Sequence, residues 1–165
     1  THDVGRVLNA LAQAGGDPFV VGGTVRDFVL GRMHGTEIVP KDVDIEVFGL
    51  AGGRVMNVLR QFGEVNEAGA SFGVLKMRLG DGSDIDVSLP RRENSIGKGH
   101  KDFLVESDPT MGFRDAAKRR DFSMNALMWR FSTGEMFDFF GGEDALRHGM
   151  LVHIDTRRLW KIRCA

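Results

Sequence analysis

The sequence predicts an α+β domain, and three observations carry that expectation. Apolar residues recur at helical spacing over residues 3–14 and 52–62, the pattern of amphipathic helices. Acidic and β-branched residues alternate through Lys41-Asp42-Val43-Asp44-Ile45-Glu46-Val47, the pattern of a half-buried strand, because successive strand side chains point to opposite faces. Residues 73–79 and 84–89 are strand-like and are joined by Gly80-Asp81-Gly82-Ser83, a hairpin signal. At 165 residues and 42% hydrophobic, the chain fits one domain with a core of its own.

Charge and cysteine usage narrow the function classes. A net charge of −1 excludes a global basic field of the kind that advertises nucleic acid. The balance conceals an asymmetry, since carboxylates are frequent before residue 90 and Lys and Arg cluster at 91–101, 114–120 and 147–163. An acidic focus beside basic surfaces suits a protein that holds metal and polyanion together. Cys164 is the single cysteine, so no intrachain disulfide framework is expected and a reducing cytoplasm fits. No apolar run approaches the roughly 20 residues of a membrane span, and the N-terminus lacks a signal-peptide layout.

In chain order, the helix over 3–14 ends at Gly15-Gly16, and Pro18-Phe19-Val20-Val21 reads as a short buried strand running into Gly22-Gly23. A helix follows over 24–30, with Gly31 as its expected stop. A strand, two glycines and a helix N-terminus favour phosphate, because glycine admits close approach and the helix end offers free N–H groups. Arg26 lies in the first turn, where it could reach a phosphate or simply pair with Asp27. Further strands are expected at 64–68, 135–140 and 150–154, and short helices at 113–119 and 143–147. Residues 124–131 read as helix or strand. Residues 90–110 lack hydrophobic periodicity and are rich in Gly, Lys and Arg, which predicts a mobile basic loop.

Asp42 and Asp44 share one strand face, and two neighbouring carboxylates resist ionising together. A bound divalent cation removes that penalty, and Mg²⁺ prefers hard oxygen ligands. An exposed strand with a polar face would show the same alternation. The pattern returns at Asp84 and Asp86, so a third carboxylate joins the site if the two strands are neighbours. Alternation does not separate Asp84 from Asp86.

Four stretches together resemble one family. Val21-Gly22-Gly23-Thr24-Val25-Arg26-Asp27 is similar to its G-G-x-V-R-D signature, and Asp42-Val43-Asp44 to its metal-binding D-x-D. Arg119-Arg120-Asp121-Phe122-Ser123-Met124-Asn125-Ala126 resembles R-R-D-F-[TS]-x-N-A. Asp138-Phe139-Phe140-Gly141-Gly142 resembles D-P-F-G-G, with Phe139 in place of proline. The family is the class II (bacterial-type) tRNA nucleotidyltransferase and poly(A) polymerase group, whose best-known member is the CCA-adding enzyme. Any one motif is weak; four in order carry the resemblance.

The resemblance implies a polymerase-β-like nucleotidyltransferase head over residues 1–154, with a small mixed sheet and helices mainly on one side. It implies that residues 155–165 begin a truncated neck or tail. Asp42, Asp44 and Asp86 would be the catalytic carboxylates and hold two Mg²⁺ ions, Asp86 falling at the family's third position. Gly22, Gly23, Arg26, Arg120, Asp121 and Asn125 would form the nucleotide site. The partners implied are ATP and/or CTP and the 3′ end of tRNA or another RNA. The connector between Gly23 and Asp42 is longer than the family pattern. Asp155-Thr156-Arg157-Arg158 spells D-x-x-R, but too close to the last strand to match the family's base-selecting motif. A poly(A) polymerase, an enzyme adding only C or A, and a nucleotide- or RNA-binding head without activity all remain open.

Overall fold

The computed structural model describes residues 2–38, 40, 42–66, 73–95 and 103–155, the last two spans without the side chains of 92–95 and 103–107. The helices are α1 (His2–Gln13), α2 (Gly23–His34), α3 (Gly52–Leu59), α4 (Phe113–Ala117) and α5 (Gly142–Arg147). The strands are β1 (Asp17–Val21), β2 (Asp42–Phe48), β3 (Val65–Asn66), β4 (Val74–Arg78), β5 (Asp84–Ser88), β6 (Arg91–Ser95), β7 (Phe103–Ser107), β8 (Met128–Arg130) and β9 (Met136–Phe137). Seven strands form one mixed sheet in the order β3-β4-β5-β2-β1-β8-β9. β2 and β5 pair in parallel, while β1 runs antiparallel to β2 and β4 antiparallel to β5. The α+β architecture matches expectation. Among the described residues no helix is long and apolar enough to cross a membrane.

One sheet face is apolar. Val20, Val43, Ile45, Val47, Leu75, Met77, Ile85 and Val87 pack there against Val4, Val7, Leu8 and Leu11 of α1, Val25 and Val29 of α2, and Val55, Val58 and Leu59 of α3. Each fully buried Val, Leu or Ile contributes about 1.5–3 kcal/mol from apolar burial, so this layer fixes strand register. The opposite face carries a smaller cluster at one end, where Phe19 and Phe48 meet Phe113 at ring separations of 4.7 and 4.9 Å. That contact seats α4, with Ala116 and Ala117 buried beneath it.

Several boundaries differ from the sequence expectation. α2 runs through Gly31 to His34 and ends at Gly35, whose φ of 65° is left-handed and whose N–H bonds the Gly31 carbonyl. Gly31 is buried within the helix because the returning chain crosses it. A Cβ there would stand 2.6 Å from the Thr36 carbonyl oxygen. Residues 91–95 and 103–107 are not loop but an antiparallel ladder from Arg91↔Ser107 to Ser95↔Phe103. Backbone pairing needs no hydrophobic alternation, and Phe103-Leu104-Val105 supplies β-propensity that the basic neighbours obscure. Residues 96–102 of the expected basic loop lie outside the described residues.

Residues 150–154 form no strand; one bridge joins Phe122 and His153. Met150, Leu151 and Val152 are exposed, so an apolar run there is no guide to burial. Residues 124–131 divide into a 3₁₀ turn at Ser123–Asn125 and then β8. In the segment where phenylalanine replaces proline, the Asp138 carboxylate accepts the Gly142 and Glu143 N–H groups at 2.8 and 3.0 Å. This carboxylate covers the free donors at the start of α5.

Candidate active site

The parallel register between β2 and β5 arranges the polar face in rows. Asp44 lies opposite Asp86 and Asp42 opposite Asp84; β4 continues the rows with Lys76 opposite Asp86 and Arg78 opposite Asp84. One row therefore reads Lys76, Asp86, Asp44, and turns apolar at Val21 on β1 and Met128 on β8. Exposure falls steadily along β2, from exposed Asp42 through half-covered Asp44 to Glu46 at 1% and Phe48 at 3%. The carboxylates thus sit where the aromatic cluster gives way to solvent, at the mouth of a groove of about 1070 Å³ lined by Asp42, Asp44, Lys76, Asp84 and Asp86 among others.

Electrostatics set these carboxylates apart. Burial pushes the Asp44 carboxyl above the usual carboxylate range; the nearby charges of Asp86 and Asp42 push the same way, and Arg120 and Lys76 oppose them. The Lys76 ammonium hydrogen-bonds the Asp86 carboxylate, which raises the lysine pKa. Arg78 lies 4.0 Å from Asp84. Hard oxygen donors crowded on one strand pair suit a cation such as Mg²⁺, and a cation would relieve the strain on Asp44. Among the described residues, however, no three acidic, His or Cys side chains are already gathered at ligating distance. Asp86 is turned toward Lys76 instead.

The glycine turn lies against this row. Gly22 has a φ of 69°, and a Cβ there would stand 3.0 Å from Asp44 Oδ2 and 3.2 Å from Arg120 Nη1. Glycine is required twice over, for the left-handed backbone and for the close approach. Gly23 opens α2, and the Thr24 hydroxyl donates to the Asp42 carbonyl at 3.1 Å. Arg26 takes the neighbour pairing that its sequence position left open. Its Nε donates to Asp27 Oδ1 at 2.8 Å, while Nη1 donates to Asn125 Oδ1 at 2.9 Å. Arg26 and Asn125 thereby tie the first turn of α2 to the 3₁₀ turn. The Asp121 side chain is exposed; its carbonyl accepts the Ile154 N–H at 3.0 Å.

A model of the poly A polymerase head domain family matches residues 18–152. The chain belongs to that family. Curated relatives include a "Multifunctional CCA protein" of Xanthomonas campestris pv. campestris (strain B100), 34% identical over 137 residues, spanning 82% of this chain and 30% of that protein. A "CCA-adding enzyme" of Bacillus cytotoxicus is 30% identical over 152 residues, spanning 91% of this chain and 34% of its own length. The chain thus spans about a third of the length of these relatives. Among solved structures, the Bacillus stearothermophilus CCA-adding enzyme in complex with CTP superposes with a TM-score of 0.73 at 26% identity, covering 98% of this chain and 35% of that one. The nucleotidyltransferase head fold is common to both.

Three residues of this head-domain site escaped the sequence reading. Lys76 is one; strand pairing with Asp86 is its only signal. The others are Glu46 and Arg119, whose side chains meet across 73 positions, Arg119 Nη2 donating to Glu46 Oε1 at 2.7 Å. Arg120 Nη2 stands 3.9 Å from Glu46 Oε2. Glu46 shares the face of Asp42 and Asp44 in the alternation, which was a legible clue to its direction but not to its burial. Beside these groups lies a second, smaller cavity of about 230 Å³, bounded by Asp44, Asp86, Arg119 and Arg120.

Proposed function

We propose that this head domain catalyses template-independent transfer of a nucleoside monophosphate from ATP or CTP to an RNA 3′ end, adding C and/or A residues to tRNA. The observation that carries the reading is the parallel pairing that puts Asp44 opposite Asp86, one strand step from Asp42, beside Arg120 and the N-terminus of α2. Relatives named as CCA-adding support tRNA as the acceptor.

In this mechanism Asp42, Asp44 and Asp86 would hold two Mg²⁺ ions, Asp86 giving up its Lys76 partner. When bound, the ions would supply Lewis-acid activation of the RNA 3′-hydroxyl and neutralise charge on pyrophosphate. The hydroxyl proton passes to solvent, and the 3′-oxygen bonds to the α-phosphorus in line as the bond from phosphorus to the α,β-bridging oxygen breaks and pyrophosphate leaves. Gly22 and Gly23 let backbone N–H groups at the start of α2 approach the triphosphate. Arg120 adds a fixed positive charge where negative charge accumulates. Arg26, braced by Asp27 and Asn125, holds the α2 turn and reaches the phosphates from it, and Asp121 and Asn125 shape the nucleotide pocket. No covalent enzyme intermediate is needed.

The test incubates the protein with Mg²⁺, labelled CTP or ATP, and tRNAs ending before, within or after CCA. Ordered addition that stops at CCA supports the reading, and untemplated runs of A assign a poly(A) polymerase. No incorporation, with the fold intact, overturns catalysis by this chain and leaves a nucleotide- or RNA-binding head.

A further inference from the structure

We propose that Glu46 is a positioning residue for nucleotide binding: it fixes Arg119 and Arg120 side by side, so that their guanidinium groups form a preformed cradle for the polyphosphate of a nucleoside triphosphate. The inference rests on the nucleotidyl-transfer reading and assigns a residue to that same site.

Burial makes Glu46 a costly choice for the fold alone. It is 1% exposed in a strand otherwise built from valine, isoleucine and phenylalanine around its two leading aspartates. Its cross-strand partners are Phe19 on β1 and Ser88 on β5. A charged side chain taken out of water costs several kcal/mol, and an apolar residue of similar volume often serves stability as well or better. A carboxylate retained here therefore points to a task beyond packing.

Geometry identifies the task. The two carboxylate oxygens face different arginines, Oε1 receiving Arg119 at 2.7 Å and Oε2 facing Arg120 at 3.9 Å. The arginines are consecutive and follow the end of α4, in a turn that does not hold their side chains together. A free arginine carries up to about 2 kcal/mol of rotamer entropy, which binding would otherwise have to overcome. Anchoring Arg119 by a hydrogen bond, and drawing Arg120 by charge toward the same buried acid, lowers that cost before the ligand arrives. The aromatic contact of Phe113 with Phe19 and Phe48 seats α4, and so delivers the turn to Glu46.

Charge and space identify the ligand class. Arg119 and Arg120 line the small cavity together with Arg91, Asp44 and Asp86, so cationic donors and carboxylates face one space. Arg119 Nε is buried with no hydrogen-bond partner among the described residues, so Glu46 leaves part of this guanidinium's donor capacity unused. Cationic donors beside carboxylates suited to Mg²⁺ match a polyphosphate bridging the two.

The experiment measures binding of ATP and CTP to the 165-residue chain by calorimetry in Mg²⁺, with thermal unfolding recorded for each variant. Glu46→Gln should weaken both nucleotides about tenfold or more, in line with loss of charge-assisted hydrogen bonding. Arg119→Met should do the same, and the double variant should be weakened by clearly less than the product of the two single effects, because Glu46 acts largely through Arg119. A purely structural glutamate would lower the melting temperature and leave the affinity of the folded fraction unchanged; that result overturns the inference. Should Glu46→Gln fail to fold, Arg119→Lys tests the same contact from its more exposed end, and unchanged affinity there overturns it equally. A parent chain that binds neither nucleotide overturns the nucleotidyl-transfer reading itself, and this inference with it.

Discussion

The two faces of the neighbouring strands β5 and β2 obey opposite rules around the acidic row. On one, Val43, Ile45, Ile85 and Val87 are at most 5% exposed and sealed under helices. On the other, the residues between them are Asp42, Asp44, Asp84 and Asp86, left at the mouth of a groove. The first face gains from every methyl group it buries. The second crowds like charges that burial penalises. The contrast teaches that the apolar face holds in place an arrangement the polar face would not adopt for its own stability.

That contrast can be broken from either side. The largest effect is expected for Asp42→Ala or Asp44→Ala, which should cut nucleotidyl transfer by a factor on the order of 10³ or more with no loss of melting temperature. Incorporation of labelled CTP or ATP measures it, and activity surviving both changes removes the carboxylates from the mechanism. Ile45→Ala, one residue along but on the other face, should do the reverse. It is expected to cost about 2–5 kcal/mol in urea unfolding while activity per folded molecule stays close to the parent's.

Smaller effects sharpen the comparison. Lys76→Met removes the cation that pairs with Asp86. Mg²⁺ should then bind roughly fivefold more tightly, equivalent to about 1 kcal/mol of relieved repulsion; calorimetric titration with Mg²⁺ alone reads this, and weaker binding would show that Lys76 supports the metal site. The smallest change concerns pH. Burial, reinforced by Asp86 and Asp42 against Arg120, raises the Asp44 pKa in the folded chain. A raised folded value means that the stability tied to this carboxyl is fully present below its ordinary pKa of about 3.9 and is lost as pH rises through the raised value. Metal-free Asp44→Asn should therefore gain on the parent in melting temperature as pH rises from 4 to 7, and Mg²⁺ should shrink the difference.

The strands that matter most were legible because their alternation is strict. Asp42 and Asp44 share a face by counting alone, as do Asp84 and Asp86. Their adjacency was not legible, since it depends on β5 pairing in parallel with β2 across an intervening helix and two strands. Glu46 escaped the sequence reading for a related reason: alternation gives a side chain its direction, whereas its depth depends on Phe19, Phe48 and α4 arriving from elsewhere. Gly31 was taken for a stop because glycine ends helices, but here it makes room for the chain at Thr36, while Gly35 supplies the left-handed turn. The ladder of 91–95 with 103–107 lacked a periodic mark because backbone pairing does not require apolar alternation. Arg26 offered two partners in sequence, and the fold added a third in Asn125.

The parallel pairing of β2 with β5 also governs when the site can exist. A parallel pair cannot close through a tight turn, so the chain that carries α3, β3 and β4 must intervene before Asp86 comes alongside Asp44. Neither a nascent fragment ending before β5 nor a chain whose central strands have parted contains half a site; it contains scattered aspartates. Loss of the Asp44–Asp86 adjacency and loss of the native sheet are, for this molecule, one event.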